Sequence, residues 1–312
     1  MALPTSTLHT GIQIGRREDL SDVIYDISPT DTPFMSGIGR KKATGILHEW
    51  QTDTLATAAQ NAVIEGDEAT TDAATVTVRL SNSCQISDKV PRITGTSEAV
   101  DKAGRKSEMA YQVSKRAREL KRDMEVALTR NGAETTGDTA TARTTAGLGA
   151  WMDTNTSAGT GGSDGSVGNT ARTDGTQRAF TETLLKGVIE SCWTAGGDPD
   201  CLMVGAFNKQ EASTFTGNAT RFKGAEDSEL VAAIDVYNSD FGEFQIIANR
   251  FSRSRDAWLL QKDLWAVAYL RSFQLQDLSR TGDSERKQLI VEYSLESRNE
   301  AGSGLIADLT TS

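Results

Sequence analysis

A long amphipathic segment, residues 97–130, directly follows a pattern of two β-strands and constrains the fold more than any other feature. Its apolar residues recur every three or four positions with one gap of seven, which is the spacing of one face of an α-helix. They are Val100, Ala103, Ala110, Val113, Ala117, Leu120, Met124 and Leu128. Thr96 or Ser97 can cap the start, and Asn131-Gly132 can end the helix. We therefore predict a spine helix over 97–130, about 50 Å long.

The two predicted strands form a long β-hairpin. In the second strand, apolar residues alternate with polar ones, which is typical of a half-buried strand; they are Val76, Val78, Leu80, Cys84, Ile86 and Val90. The first strand, over 43–55, carries Ile46, His48 and Trp50 on one face. Residues 56–72 between them are too many for a tight turn and too poor in apolar side chains to be stable alone. We expect this tip to rest on another copy of the chain.

Composition excludes several classes of protein. A chain of 312 residues forms one large domain or two modest ones, and its aromatic content of 6% is low for a self-sufficient enzyme core. The net charge of -10 argues against a general nucleic-acid binder. Three cysteines without a C-x-x-C spacing disfavour a disulfide framework or a zinc site and favour a reducing compartment. No apolar run is long enough to predict a membrane span.

Charge is distributed unevenly along the chain. The predicted helix holds nine basic residues, and the hairpin tip holds acidic residues without a base. A solvated face explains either charge run as well as a contact does. Our hypothesis is that the tip docks on the basic helix or arm of a neighbouring subunit. The predicted inter-subunit contact residues are Glu65, Asp67, Glu68, Lys115, Arg118 and Arg122.

The rest of the chain predicts an α+β protein. Two prolines within 28–34 argue against a regular helix there, and 131–177, rich in Gly and Thr, is an exposed loop or a partly ordered insertion. Periodicity then predicts helices over 181–193 and 208–215, a hairpin over 236–248, and strands over 201–204, 258–261, 265–270 and 289–295.

Motifs for chemistry are missing from the sequence. It contains no Walker loop, G-x-S-x-G elbow or H-E-x-x-H pattern, and its only histidines, His9 and His48, have no nearby cysteine. No carboxylate pair stands out from the surface charge. We therefore predict no enzyme activity, no cofactor and no metal site, with a soluble carboxylate-dependent hydrolase as a remote alternative.

In this order, the segments resemble the major capsid protein family of tailed bacteriophages, which has the Hong Kong ninety-seven fold. The resemblance rests on the hairpin, the basic helix, and the segments ISPTDTPF (27–34), GLGAW (147–151), VYNSDFG (236–242), TGDS (281–284) and VEYSLESRNE (291–300). It implies a division into an N-terminal arm (1–42), an extended loop (43–90), a peripheral domain (91–177) with the spine helix, an axial α/β domain (178–270), and return strands with the C-terminus (271–312).

The resemblance also implies a function. The chain would be a structural head protein that self-assembles into pentamers and hexamers of an icosahedral shell around packaged double-stranded DNA, assembled in the host bacterial cytoplasm and present in the virion. Its partners would be other copies, portal and decoration proteins, and DNA through non-specific contacts, without a membrane. Because the chain starts directly with the arm, a separate scaffolding protein is expected. The alternative is the shell protein of an encapsulin-like bacterial nanocompartment.

Overall fold

The computed structural model describes residues 28–68, 71–102, 104–215 and 235–312. The helices are α1 (Pro33–Gly37), α2 (Gly95–Ala99), α3 (Glu108–Thr129), α4 (Leu148–Trp151), α5 (Glu182–Thr194) and α6 (Ala206–Ala212). The strands are β1 (Gly39–Lys42), β2 (Leu47–Thr52), β3 (Val78–Ser83), β4 (Gln85–Lys89), β5 (Arg92–Thr94), β6 (Thr156–Ser157), β7 (Cys201–Val204), β8 (Val236–Ser239), β9 (Gly242–Ala248), β10 (Ala257–Leu260), β11 (Trp265–Leu278), β12 (Ser284–Ser297) and β13 (Gly304–Ile306). The predicted α+β class is confirmed.

A long hairpin of β11 and β12 forms the centre of a five-stranded sheet, which we call the long sheet. β1 pairs with β11 in parallel, and β4 and β5 pair with β12 in antiparallel fashion. The predicted turn at 281–284 is confirmed, and Gly282 adopts a φ of 71° there. Since a left-handed φ strains any residue with a Cβ, glycine suits this turn.

The spine helix packs on this sheet, but it is shorter than predicted. Helix α3 begins at Glu108, so the expected continuous helix over 97–130 is wrong in its first third. Gly104 has a φ of 75°, and Ser107 caps the new start by accepting a hydrogen bond from the Ala110 amide. The 22 residues span about 33 Å. Val100, predicted on the apolar face, is instead 59% exposed.

The predicted apolar stripe holds in the second half of the helix. Leu120, Met124 and Leu128 are fully buried in one core cluster with three alternate residues of β12, namely Val291, Tyr293 and Leu295. Ala117 is partly buried against the same cluster. The helix thus covers one face of the long sheet.

The extended hairpin exists, but its second strand is not continuous. β2 and β3 pair antiparallel from Leu47 opposite Ser83 to Thr52 opposite Val78. The chain then turns at Cys84, and β4 joins the long sheet instead of prolonging the hairpin. The predicted single strand over 76–90 is therefore wrong, because its two halves satisfy their backbone hydrogen bonds in different sheets.

The arm is described only from residue 28, and residues 1–27 lie outside the described residues. The expectation of irregular structure around the two prolines is wrong at its end, since α1 begins at Pro33. Proline is tolerated at the first position of a helix, where its missing N–H would have no partner anyway. β1 then adds the arm to the edge of the long sheet.

A second sheet has six strands in the order β6-β13-β10-β7-β9-β8. It confirms the predicted helix near 181–193, the buried strand over 201–204 and the hairpin within 236–248. α5 covers it, with Leu185, Val188 and Ile189 buried in its core. The helix expected over 208–215 occurs as Ala206–Ala212. The division of the chain into named domains stays a prediction.

Candidate assembly interface

The loop between β2 and β3, residues 53–77, exposes more apolar surface than any other segment described. Its exposed apolar side chains are Leu55 (99%), Val63 (71%), Ile64 (78%) and Val76 (90%), followed by Val78 (59%) at the start of β3. Single surface apolar residues are normal, but several highly exposed ones on one segment with almost no burial indicate an interaction site. We keep the name extended loop for residues 53–77, the part of the predicted segment 43–90 that lies between β2 and β3.

The base of this hairpin is held rigidly by a buried carboxylate on β12. Glu296 accepts hydrogen bonds from His48 Nε2 at 2.7 Å and from Lys41 Nζ at 2.9 Å. Burial alone would raise the pKa of Glu296, but these hydrogen bonds from His48 and Lys41 lower it to about 2. The ionised carboxylate therefore ties β1 and β2 to the long sheet.

The other strand of the hairpin is anchored by an amide. Asn82 is fully buried, donates from Nδ2 to the Leu295 carbonyl at 2.7 Å, and accepts from the Ala146 amide at 2.9 Å. On β2, Trp50 lies against Trp151 with ring centroids 5.4 Å apart. Both strands are thus fixed at their roots, while the loop beyond them projects.

A second buried carboxylate connects the arm to the spine. Glu125 of α3 is fully buried and accepts from the Phe34 and Met35 amides at 2.8 Å each, and from Asn249 Nδ2 at 2.7 Å. Since Pro33 has no N–H, these are the first two amides of α1. Burial raises the pKa of Glu125, while the three hydrogen bonds oppose that shift. One side chain thereby joins the arm, the spine and the turn after β9.

A cluster of charges fixes the Gly- and Thr-rich segment to the six-stranded sheet. Arg172 is buried and contacts Asp308 at 3.0 Å and Asp256 at 3.5 Å. Arg255 contacts the other oxygen of Asp308 at 2.7 Å. Burial opposes ionisation of Asp308, but the Arg172 guanidinium and the Gly159 amide lower its pKa to about 2. The segment is therefore held by buried ion pairs. Removing one partner of such a pair would leave the other charge buried and uncompensated.

Comparison with known proteins identifies what this architecture is for. The family model of the SU10 major capsid protein matches residues 4–310. The chain belongs to the SU10 major capsid protein family. It is 27% identical to the major capsid protein of Escherichia phage Phieco32 over an alignment of 335 residues, and this alignment covers 94% of each chain.

Solved capsid structures share the fold of this major capsid protein. The capsid asymmetric unit of cyanophage A-1(L) matches with a TM-score of 0.69 at 13% identity, over 95% of this chain and 98% of that one. The capsid of a native GTA particle matches with a TM-score of 0.63 at 10% identity, over 98% and 100%. A Phage G assembly of major capsid and decoration proteins matches with a TM-score of 0.54 at 11% identity, over 96% and 99%. The resemblance found in the sequence is confirmed, and the protein is a structural component of the virion.

The predicted contact residues of the capsid protein lie in two separate groups. Glu65, Asp67 and Glu68 are exposed together on the extended loop. Lys115 and Arg118 are exposed on α3, and Arg122 is half-buried, with Nη1 donating to the Pro29 carbonyl of the arm at 3.5 Å. Contact between these two groups across neighbouring copies stays a prediction.

Part of the basic charge within residues 97–130 is balanced inside the chain. Arg116 contacts Glu119 at 2.5 Å, and Arg105 forms an ion pair with Glu108. Lys102 approaches Glu98 at 3.7 Å. The face that carries the predicted contact residues therefore has a smaller excess of positive charge than the sequence count suggests.

Sequence reasoning missed the buried polar anchors of the capsid protein. Glu292 and Glu296 alternate with the apolar residues of β12, so the pattern indicates a solvated face. In the structure Glu292 is 3% exposed and forms ion pairs with Arg143 and Arg271. For Glu125 the sequence contains one indication of burial, since it lies beside Met124 on the apolar side of the helix.

Other kinds of site are not apparent in the described part of the capsid protein. Within the four described ranges, no group of three His, Cys, Asp or Glu side chains could hold a metal ion. Over the same residues, no helix is long and apolar enough to span a bilayer. Cys84, Cys192 and Cys201 are buried free thiols, and burial raises the pKa of each to about 11 or 12.

Proposed function

We propose that copies of this capsid protein assemble into pentamers and hexamers of a closed icosahedral shell around packaged double-stranded DNA. Assembly would take place in the host bacterial cytoplasm, before the head becomes part of the virion. The observation that carries this proposal is the apolar extended loop on a root fixed by His48, Asn82 and Glu296. Such a loop finds burial only against another molecule.

The energetics favour a repeated contact. Full burial of an aliphatic side chain contributes about 1.5–3 kcal/mol, so the five exposed apolar residues of the hairpin could contribute roughly 7–15 kcal/mol. Association costs about 4–15 kcal/mol in lost freedom of motion. A single loop contact would therefore be weak. In a closed shell each copy docks its own loop on one neighbour and binds the loop of another, so many such contacts add up.

The receiving surface of the neighbour is proposed to be α3 and the distal end of the long sheet. An open groove there is lined by the apolar residues Met109, Ala110, Val113 and Leu275 and by the charged residues Glu98, Glu285 and Lys287. Apolar loop residues suit its floor. The acidic tip, with Glu65, Asp67 and Glu68, then lies near the basic residues Lys115, Arg118 and Arg122. Each exposed ion pair would contribute only about 0.2–1 kcal/mol, so charge would set register more than strength.

The other roles proposed for the protein follow from its being a wall component. It would catalyse no reaction, and it would need no cofactor. A separate scaffolding protein, a portal and decoration proteins are the proposed further partners. Its net charge of -10 would keep the wall from adhering to DNA except at local basic patches.

Electron microscopy of the purified protein tests the proposal. Closed particles are the expected result, and a small soluble oligomer under all conditions would contradict it. Nucleic acid inside particles from infected cells would distinguish a phage head from an encapsulin-like compartment, which would contain a protein cargo.

A charge-reversal series tests the docking of the loop. Replacing Glu65, Asp67 and Glu68 together with Lys should weaken assembly, most strongly at low salt, where screening is least. Replacing Lys115, Arg118 and Arg122 with Glu in the same chain should restore it. Unchanged assembly of the first variant across a salt series would refute the ion pairs, without refuting the shell.

A further inference from the structure

An exposed aromatic pair lies at one end of the six-stranded sheet. Trp193, at the end of α5, and Phe241, in the turn between β8 and β9, have ring centroids 5.3 Å apart. Trp193 is 60% exposed and Phe241 is 40% exposed. The other four tryptophans are buried, namely Trp50, Trp151, Trp258 and Trp265. Exposed aromatic side chains in mutual contact are the residues that anchor protein interfaces.

Carboxylates surround this aromatic pair. Asp240 and Glu243 flank it in the chain and are exposed. Asp198 is also exposed and lies beside Gly242, with Oδ1 4.0 Å from where a Cβ on that glycine would be. Lys186 of α5 is within electrostatic reach of Asp240, but it is paired with Glu182 at 2.9 Å, so the surface keeps an excess of negative charge. The partner that fits this surface therefore combines positive charge with a flat or apolar contact, which is the chemistry of arginine.

The opposite end of the same sheet offers that chemistry. The turn after β9, residues 249–256, which we call the arginine turn, contains Arg250, Arg253 and Arg255. Arg250 is exposed, and the side chains of Arg253 and Arg255 are each 22% exposed. Three arginines, Arg172, Arg253 and Arg255, contact three carboxylates, Asp174, Asp256 and Asp308. Arg250 therefore supplies the excess positive charge. This end of the sheet is thus net positive.

The two surfaces are placed so that copies can join head to tail. β9 has seven residues, begins beside the aromatic pair and ends beside the arginine turn, so the two surfaces are about 20 Å apart. Contact of the aromatic pair with itself across a two-fold axis would bring two acidic rims together. A contact between unlike surfaces instead repeats around a ring.

We infer that the aromatic pair of one copy docks on the arginine turn of the next copy around a pentamer or hexamer. This inference rests on the proposed assembly and adds the residues that close the ring. It is separate from the extended loop, which connects the two strands of the β2–β3 hairpin. Arg250 would lie over the Trp193 ring with its guanidinium group facing Asp240.

Tryptophan fluorescence tests the contact directly, because Trp193 is the exposed one of the five. In the free subunit, acrylamide should quench a component that the Trp193→Phe variant lacks. In assembled shells that component should be protected to the level of the four buried tryptophans. Trp193 that stays equally quenchable in intact shells would overturn the contact, while the proposed assembly would stand.

Charge exchange tests the partner. Asp240→Arg and Arg250→Asp should each raise the concentration needed for assembly by about tenfold, as loss of an anchoring contact does. The double variant should recover assembly. Asp153→Asn, which removes an exposed negative charge outside both surfaces and outside α3, is the control and should assemble normally.

Three further outcomes decide the inference. Failure of the double variant to recover, with each single variant folded, would overturn the pairing. Protection of Trp193 only when another virion protein is added would assign the aromatic pair to that protein and overturn the ring contact. A wild-type chain that forms no particle would refute the proposed assembly and this contact together.

Discussion

Removing the Glu125 carboxylate should release the arm from the spine. In Glu125→Ala, the Phe34 and Met35 amides and the Asn249 side chain each lose an acceptor at 2.7–2.8 Å within the core. A buried donor left unsatisfied costs about 1–3 kcal/mol. Relief of the buried charge offsets part of that sum. The expected net loss of stability is on the order of 3 kcal/mol, which lowers the thermal midpoint by several degrees.

Hydrogen exchange gives the sharpest assay, because two of the affected donors are backbone amides. Phe34 and Met35 should exchange much faster in the variant, while the core of β12 stays protected. Glu125→Gln should give a smaller effect, since its amide oxygen still accepts while its NH2 group faces a donor. The matched control is Asp123→Ala, which removes an exposed carboxylate of the same helix. Asp123 pairs with Lys89 of β4, so its loss should lower the stability by about 0.2–1 kcal/mol.

The reasoning would be refuted by a Glu125→Ala protein whose Phe34 and Met35 amides exchange at the wild-type rate. Equal thermal midpoints for Glu125→Ala and Asp123→Ala would lead to the same conclusion. Either result would mean that apolar packing of α1 alone holds the arm.

Three further predictions concern the core, pH and the loop. Leu120→Asp places an unpaired charge at a fully buried position and should yield insoluble protein. Arg118→Ala, at an exposed position, should fold with a stability change within about 0.5 kcal/mol. Solubility and thermal unfolding measure both, and equal behaviour of the two variants would show that α3 is not part of the core. Because the pKa of Glu296 falls from 4.5 to about 2 on folding, its stabilisation is present above pH 4.5 and is lost as pH falls towards 2, so urea titrations should show an acid loss that Glu296→Gln lacks. A glutamate-specific protease should cut free subunits within 56–72 and spare assembled shells, and equal cutting of both would contradict burial of the loop.

Local sequence pattern is sufficient to predict the α+β class and the main helices and strands of this protein. The 3.6-residue period predicts that Leu120, Met124 and Leu128 lie on the buried face of a helix. The alternating pattern predicts that Val291, Tyr293 and Leu295 lie on the buried face of a strand. Local pattern suffices at such positions because burial of apolar surface dominates folding energetics and repeats with the geometry of the element. The order of these parts also indicated the capsid family.

Tertiary contacts determine where the helices and strands begin and end, and which polar residues are buried. The helix begins at Glu108 because Ser107 and the Glu98 carboxylate satisfy its first amides, and the Glu98 contact spans ten residues of sequence. The strand over 76–90 divides because β12 offers a second edge for pairing. Glu125, Glu296 and Arg172 resemble surface residues in the sequence, since a charge is stable inside a protein only with partners that distant segments supply. Periodicity reports the local face of an element, whereas its buried polar partners are set by the packing of the whole chain.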